Sequence, residues 1–237
     1  MLVNQEKCIG CGLCTVYCPI GAITVVDRKA SIDLDRCCEC SNCLRSGACK
    51  RDALYQQPLE GTRKARSLLS DVKTEYKGVN GRGTEEMKTN DVTGRFQDGF
   101  SGLTVELGRP AVSSSFRNIE IIAKTVAAHG GVFETCNPIS QYIVNFETGE
   151  MDQDYMDERV MSGIIEAIVP NDRLLEAVQA VLAVSSELDT VFSMGVACKV
   201  DENGEIPAKK ILDEAGIFYR PNGKTNVGLG KPSFFMT

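Results

Sequence analysis

The sequence has no tryptophan and one histidine, His129, among 237 residues. No apolar run approaches the roughly 18 residues that a membrane helix needs. Met1 to Lys7 carries no apolar signal segment, so a cytoplasmic chain without a membrane span is expected. Positive charge is also short: 26 basic residues against 32 acidic give a net −6, which argues against nucleic acid as a partner. No G-x-G-x-x-G follows a strand-like stretch, so a bound dinucleotide is not indicated. The nearest approach to a P-loop, Gly223-Lys224-Thr225, needs glycine at position 218 and has Phe218. Lys224 with Arg220, or Arg109 with a helix start at Ser113–Ser115, would make at most an anion pocket. Tight turns covering an edge are the plainer reading.

With one histidine, residues 102–237 assemble no nucleophile, base and orienting group, so no catalytic residue is assigned. His129 falls in the last turn of a helical pattern and reads as a partner of that helix end. Cys136, beside Asn137-Pro138, has no histidine near it in sequence. Cys198 lies on the apolar face of an alternating stretch and reads as core.

Cysteine is what the chain has in quantity: 11 residues, nine of them between Cys8 and Cys49. The first run is Cys8, Cys11, Cys14 and Cys18 followed by Pro19, the pattern C-x2-C-x2-C-x3-C-P. The second is Cys37, Cys38, Cys40 and Cys43, with Cys49 after five more residues. A [4Fe–4S] cube takes one thiolate per iron, and three cysteines at this spacing wrap one cube in a tight loop. Structural zinc uses paired C-x2-C motifs rather than such triplets, and disulfides need a secreted chain.

This stretch resembles the bacterial two-[4Fe–4S] ferredoxin domain. In that family the fourth cysteine of each run ligates the other cluster. The resemblance therefore implies one cluster on Cys8, Cys11, Cys14 and Cys49, and a second on Cys37, Cys40, Cys43 and Cys18. The second run departs from the pattern by two extra residues before Cys49 and by Lys50 in place of proline, which puts the local loop in doubt. Cys38 reads as a spectator beside its loop.

Residues 1–57 form the expected ferredoxin domain. Between the runs, Ala22–Val26 and Ala30–Leu34 read as a hairpin about Asp27-Arg28-Lys29, and Arg51–Tyr55 repeats Ile20–Ile23. Residues 58–101 read as a helix from Thr62 to Tyr76, with Ala65, Leu68, Leu69 and Val72 inward, and then a glycine-rich strap. Residues 102–237 follow the order β-α-β, β-α-β, which predicts a split β-α-β (ferredoxin-like) α/β sandwich and makes the chain α+β. Its strands are expected at Leu103–Leu107, Val132–Phe133, Ile164–Val169 and Phe192–Val200. Ser113–Ser115 is expected to cap one helix, carrying Ile119, Ile122, Ala123 and Val126. Asn171 or Asp172 caps the next, with Leu174, Leu175, Val178, Val181 and Leu182 inward. Pro207 opens a third helix.

Gly81–Arg95 and Pro221–Gly230 resemble parts of ferredoxin-dependent reductases of the 6-hydroxynicotinate reductase type, enzymes longer than this chain. That resemblance implies the electron-input part of such a system and carries over no catalytic residue. The expected function is single-electron transfer through two [4Fe–4S] clusters to or from a partner oxidoreductase or catalytic subunit, in a homo- or hetero-oligomer. A reductase of a small heteroaromatic acid and a ligand-binding redox sensor are the alternatives. Residues 45–95 carry net +4 and residues 96–200 net −9. Solvated faces explain this most simply; the sharper reading sets Arg63, Lys64 and Arg66 against an acidic partner.

Overall fold

The computed structural model describes residues 1–76, 79–80, 94–109 and 112–220. The chain divides into two compact units, and helix and strand are mixed along it. Gly81–Thr93 and Pro221–Gly230, with Lys224, lie outside the described residues.

The first unit is built from Met1–Gly83, Leu107–Arg117 and Gln153–Gly163. Its N-terminal part runs β1 (Leu2–Val3), α1 (Leu13–Val16), β2 (Ile23–Val26), β3 (Lys29–Ile32), α2 (Asn42–Arg45), β4 (Leu54–Tyr55) and α3 (Thr62–Leu68). β1 pairs antiparallel with β4, joining the start of the unit to the end of the cysteine-rich stretch. β2 and β3 form the expected hairpin, with a two-residue turn in place of three. Lys29 pairs with Val26, and Asp27 and Arg28 both hold positive φ, 50° and 60°. Two left-handed residues match the right-handed twist of the flanking strands.

The apolar core of this part is small, and cysteine makes up three of its eight buried members. Cys8, Cys14 and Cys43 are buried with Met1, Ile23, Ala30, Ala53 and Leu54, while Cys18, Cys37 and Cys49 pack against them. So few aliphatic side chains would be a thin core by themselves.

α3 is shorter than its apolar spacing predicts. It stops at Leu68 because Ser67 turns the chain: its carbonyl accepts from the Ser70 and Asp71 N–H groups, and Asp71 in turn accepts from the Lys73 N–H and pairs with Arg45. Ala65, Leu68 and Leu69 are buried as expected, whereas Val72 is 61% exposed. Glu75–Tyr76 then pairs with Val79–Asn80. Ser114–Ser115 directly precedes the following helix. It forms a two-residue strand against Arg159–Val160, and the helix opens at Phe116, whose N–H bonds the Glu158 carbonyl.

The second unit comprises Thr84–Glu106, Asn118–Asp152 and Ile164–Thr237. Four strands form one sheet in the order Phe192–Cys198, Phe100–Leu107, Gly163–Pro170, Val132–Phe133. The last two are antiparallel, with Ala167 opposite Phe133. Helices span Phe116–Ala128 and Asn171–Ala183. Ile119, Ile122, Ala123 and Val126 are fully buried on the first. The second buries Leu174, Ala177, Val178 and Val181, while Leu182 is exposed. Asn171 is the first helical residue rather than a cap. Its N–H bonds the Gly99 carbonyl, and its side-chain oxygen accepts from Ser101, 2.7 Å away. Pro207–Glu214 is the expected third helix, and Val200 falls beyond the last strand, exposed.

Candidate metal centre

The two cysteine runs build the same backbone shape twice. Gly10 and Gly12 stand two and four residues after Cys8, and Gly21 stands three after Cys18; all have positive φ. The matching positions after Cys37 and Cys49 are Glu39, Ser41 and Asp52, and these also have positive φ, between 48° and 55°. α1 and α2 follow in register: each carries the third cysteine of its run, Cys14 or Cys43. The repeat extends to sulfur. The Ala22 N–H points at Cys18 Sγ (3.1 Å) and the Ala53 N–H at Cys49 Sγ (3.3 Å), four residues on in both cases. Ala30 N–H does the same for Cys8 at 3.3 Å. The two additional residues before Cys49 are taken up after α2 by a turn through Gly47, which has φ 63°.

This geometry gathers the thiols in two groups. Burial pushes the Cys14 thiol up, and Cys11, Cys8 and Cys49 lie close enough to raise it further. Burial likewise pushes Cys43 up to about 12, with Cys40, Cys37 and Cys18 adding to the effect. Each group takes three cysteines from one run and the fourth from the other. A cavity opens at the second group, lined by Cys18, Cys37, Cys40 and Cys43 and covered by Ile20, Ile23 and Ile32. Cys49 differs from the rest. Burial acts to raise it, but the N–H groups of Ala53, Arg51 and Leu54 outweigh burial and hold it below the usual thiol range. Such amides stabilise a thiolate, the form that binds metal.

Among the described residues no three Cys, His, Asp or Glu side chains converge on a point that would hold a single metal ion. A cube does not need such convergence, because each of its irons takes its own thiolate. Four thiolates around one space repel each other unless cationic iron sits among them. The donor set, the N–H···S bonds and the apolar lining therefore fit a [4Fe–4S] group. Cys38 is 1% exposed and also borders the cavity. Burial pushes it up to about 12, and its thiol faces the Arg36 carbonyl, 3.8 Å away.

A family model described as the 4Fe-4S binding domain matches residues 1–24. The N-terminus of this chain is a ferredoxin segment. The ferredoxin segment is also similar to an uncharacterized ferredoxin of Methanocaldococcus jannaschii, 45% identical over 40 residues. That match covers 15% of this chain, and the chain spans about a quarter (26%) of the relative's length. No solved structure matches the chain.

The remaining candidates fall outside the thiol groups. His129 Nδ1 lies 2.8 Å from the Thr125 carbonyl, the helix-end role expected of it. Arg109 reaches Ser162 Oγ at 3.5 Å, and Ser113 accepts from Arg159. The Phe116 N–H at this helix start is bonded to the Glu158 carbonyl. Cys136 is exposed and donates its N–H to Glu134. Sequence reasoning missed the groups around it: buried Glu134 pairs with Arg95, and buried Glu166 accepts from Asn137 at 2.8 Å. The available signal was Glu166 interrupting the apolar strand Ile164-Ile165-Glu166-Ala167-Ile168. Cys198 is half-buried in its strand.

Among the described residues no helix is long and apolar enough to cross a membrane.

Proposed function

We propose that this chain is an iron–sulfur electron carrier with two [4Fe–4S] clusters. One is held by Cys8, Cys11, Cys14 and Cys49, the other by Cys37, Cys40, Cys43 and Cys18. The observation that carries this reading is the grouping of eight thiols into two sets of four, each completed by a cysteine from the opposite run. A bound cube supplies one-electron storage. The chain's own groups do the rest. Thiolates hold the irons, Ile20, Ile23 and Ile32 keep water from the second site, and backbone N–H groups offset the charge on Cys8, Cys18 and Cys49.

On this reading residues 1–57 are the ferredoxin domain, residues 58–101 the connecting strap, and residues 102–237 a split β-α-β sandwich that docks a partner oxidoreductase in the cytoplasm. The sheet order with the outer strand Phe192–Cys198 beside Phe100–Leu107 supports that last assignment. Purified without oxygen, the single chain should be reduced by dithionite, seen as bleaching of its visible absorption. It should then convert no organic acid unaided. Steady turnover of a heteroaromatic acid by the chain alone would contradict the carrier reading and favour a reductase.

A further inference from the structure

The two cysteine loops share a backbone but not an electrostatic environment. In the first loop the left-handed slot before the second ligand is Gly10, pressed against the Arg28 backbone with no room for a side chain. In the second loop the same slot is Glu39, at φ 54° and with no exposed surface. Its carboxylate pairs with Arg63 on α3 and with the amino group of Met1. One helical turn later on α3, Arg66 is also buried. Its Nη1 donates to the carbonyls of Leu34 (2.7 Å), Asp35 (3.0 Å) and Cys37 (2.9 Å), and its Nε to Glu158. Thr62, at the start of α3, donates to the other Glu158 oxygen. Glu39 and Arg66 are buried, so salt screens their charges little, whereas the Arg63 side chain is 27% exposed.

Buried charge beside a cluster shifts its reduction, because the reduced cluster carries one more negative charge. We propose that α3 is an electrostatic clamp that sets the Cys37–Cys40 cluster apart from its twin, with Arg66 the positioning residue that both holds the Cys37 carbonyl and favours the reduced state. This rests on the two-cluster carrier reading. The Glu39 carboxylate opposes reduction, and Arg63 and Arg66 offset it. The first loop has no carboxylate at Gly10, and the cation on its Cys8 carbonyl is the exposed Lys29 (Nζ, 2.8 Å) rather than a buried guanidinium, so the two should accept electrons at separate potentials. Electrons then have a preferred resting place within the pair.

The test is a dye-mediated redox titration of the holoprotein followed by paramagnetic resonance, with iron content measured on each sample. The wild type should show two reduction steps. Glu39→Gln should move one step upward and Arg66→Gln should move the same step downward. Each shift should be about tenfold in the reduction equilibrium, or ~59 mV for a one-electron step. The other step should move much less, and raising the salt should leave both shifts in place. Glu39→Gly, which restores the residue type of the first loop, should keep full iron and shift in the direction of Glu39→Gln, which guards against misfolding of a single variant. Full iron with shifts of the same sign in Glu39→Gln and Arg66→Gln, or with no shift, would overturn the clamp and leave the carrier standing. A wild type with a single cluster's iron would overturn both.

Discussion

Cys38 and Cys49 separate two ways of counting ligands in the second run. Cys38 is adjacent to Cys37, fully buried and next to the cavity, so proximity alone would recommend it. Cys49 comes late, after an insertion that breaks the family spacing. Their surroundings favour Cys49: its sulfur lies by Cys14, and three backbone N–H groups hold its thiol in the metal-binding form. The Cys38 thiol instead faces a carbonyl, which accepts a proton's hydrogen bond and does nothing for a thiolate. Cys49→Ser should therefore cost the cluster of Cys8, Cys11 and Cys14, even though it lies in the other run. Cys38→Ser should leave both clusters in place. Iron analysis and visible spectra of the two variants check this, and cluster loss in Cys38→Ser with Cys49→Ser intact would reverse the assignment. The closeness of the first three thiols of each run was legible in the sequence because their spacing is a local pattern, whereas the fourth member of each group lies in the other run and was implied only by the family resemblance.

At the scale of loops and helices, that legibility depends on whether the deciding contact is local. Gly10 and Gly12 both have positive φ, which an alanine adopts at a cost of about 1–2 kcal/mol. They differ in what surrounds them. A Cβ on Gly12 would meet nothing within 4 Å, whereas one on Gly10 would lie 2.3 Å from the Arg28 backbone. Gly12→Ala should thus lose stability by only that amount, measured by thermal unfolding of the holoprotein. Gly10→Ala should push the β2–β3 turn off the first loop and fail to retain the cluster held there. Comparable damage from the two substitutions would contradict the contact. The hairpin itself, and the helices with Ile119 to Val126 and Leu174 to Val181, were legible because apolar periodicity reports burial directly. The end of α3 was not. Val72 keeps the helical spacing, but Ser67 and Asp71 close the chain into a turn before it. Nor was the burial of Arg66 legible. In sequence it is one of several basic residues in a positive stretch. In the fold it bonds three carbonyls and a glutamate far along the chain, so for Arg66 both the solvated face and the sharper reading of an acidic partner are corrected. Ser114–Ser115 escaped for the same reason, since its strand partner Arg159–Val160 is distant in sequence.

For the whole molecule, the account makes the cysteine-rich stretch a place where folding and cofactor binding are one event. Its core holds too few aliphatic side chains to close without what the thiols bind, and burial of Cys14 and Cys43 disfavours bare thiolates there. The central claim is that this stretch holds two cubes rather than one cube, or a zinc site with spare thiols. Iron and acid-labile sulfide, counted per chain in protein purified without oxygen, test it most directly. The account predicts about eight of each, four per cube, with spin coupling between the two reduced clusters in the paramagnetic spectrum. About four iron per chain, or zinc in place of iron, would contradict it.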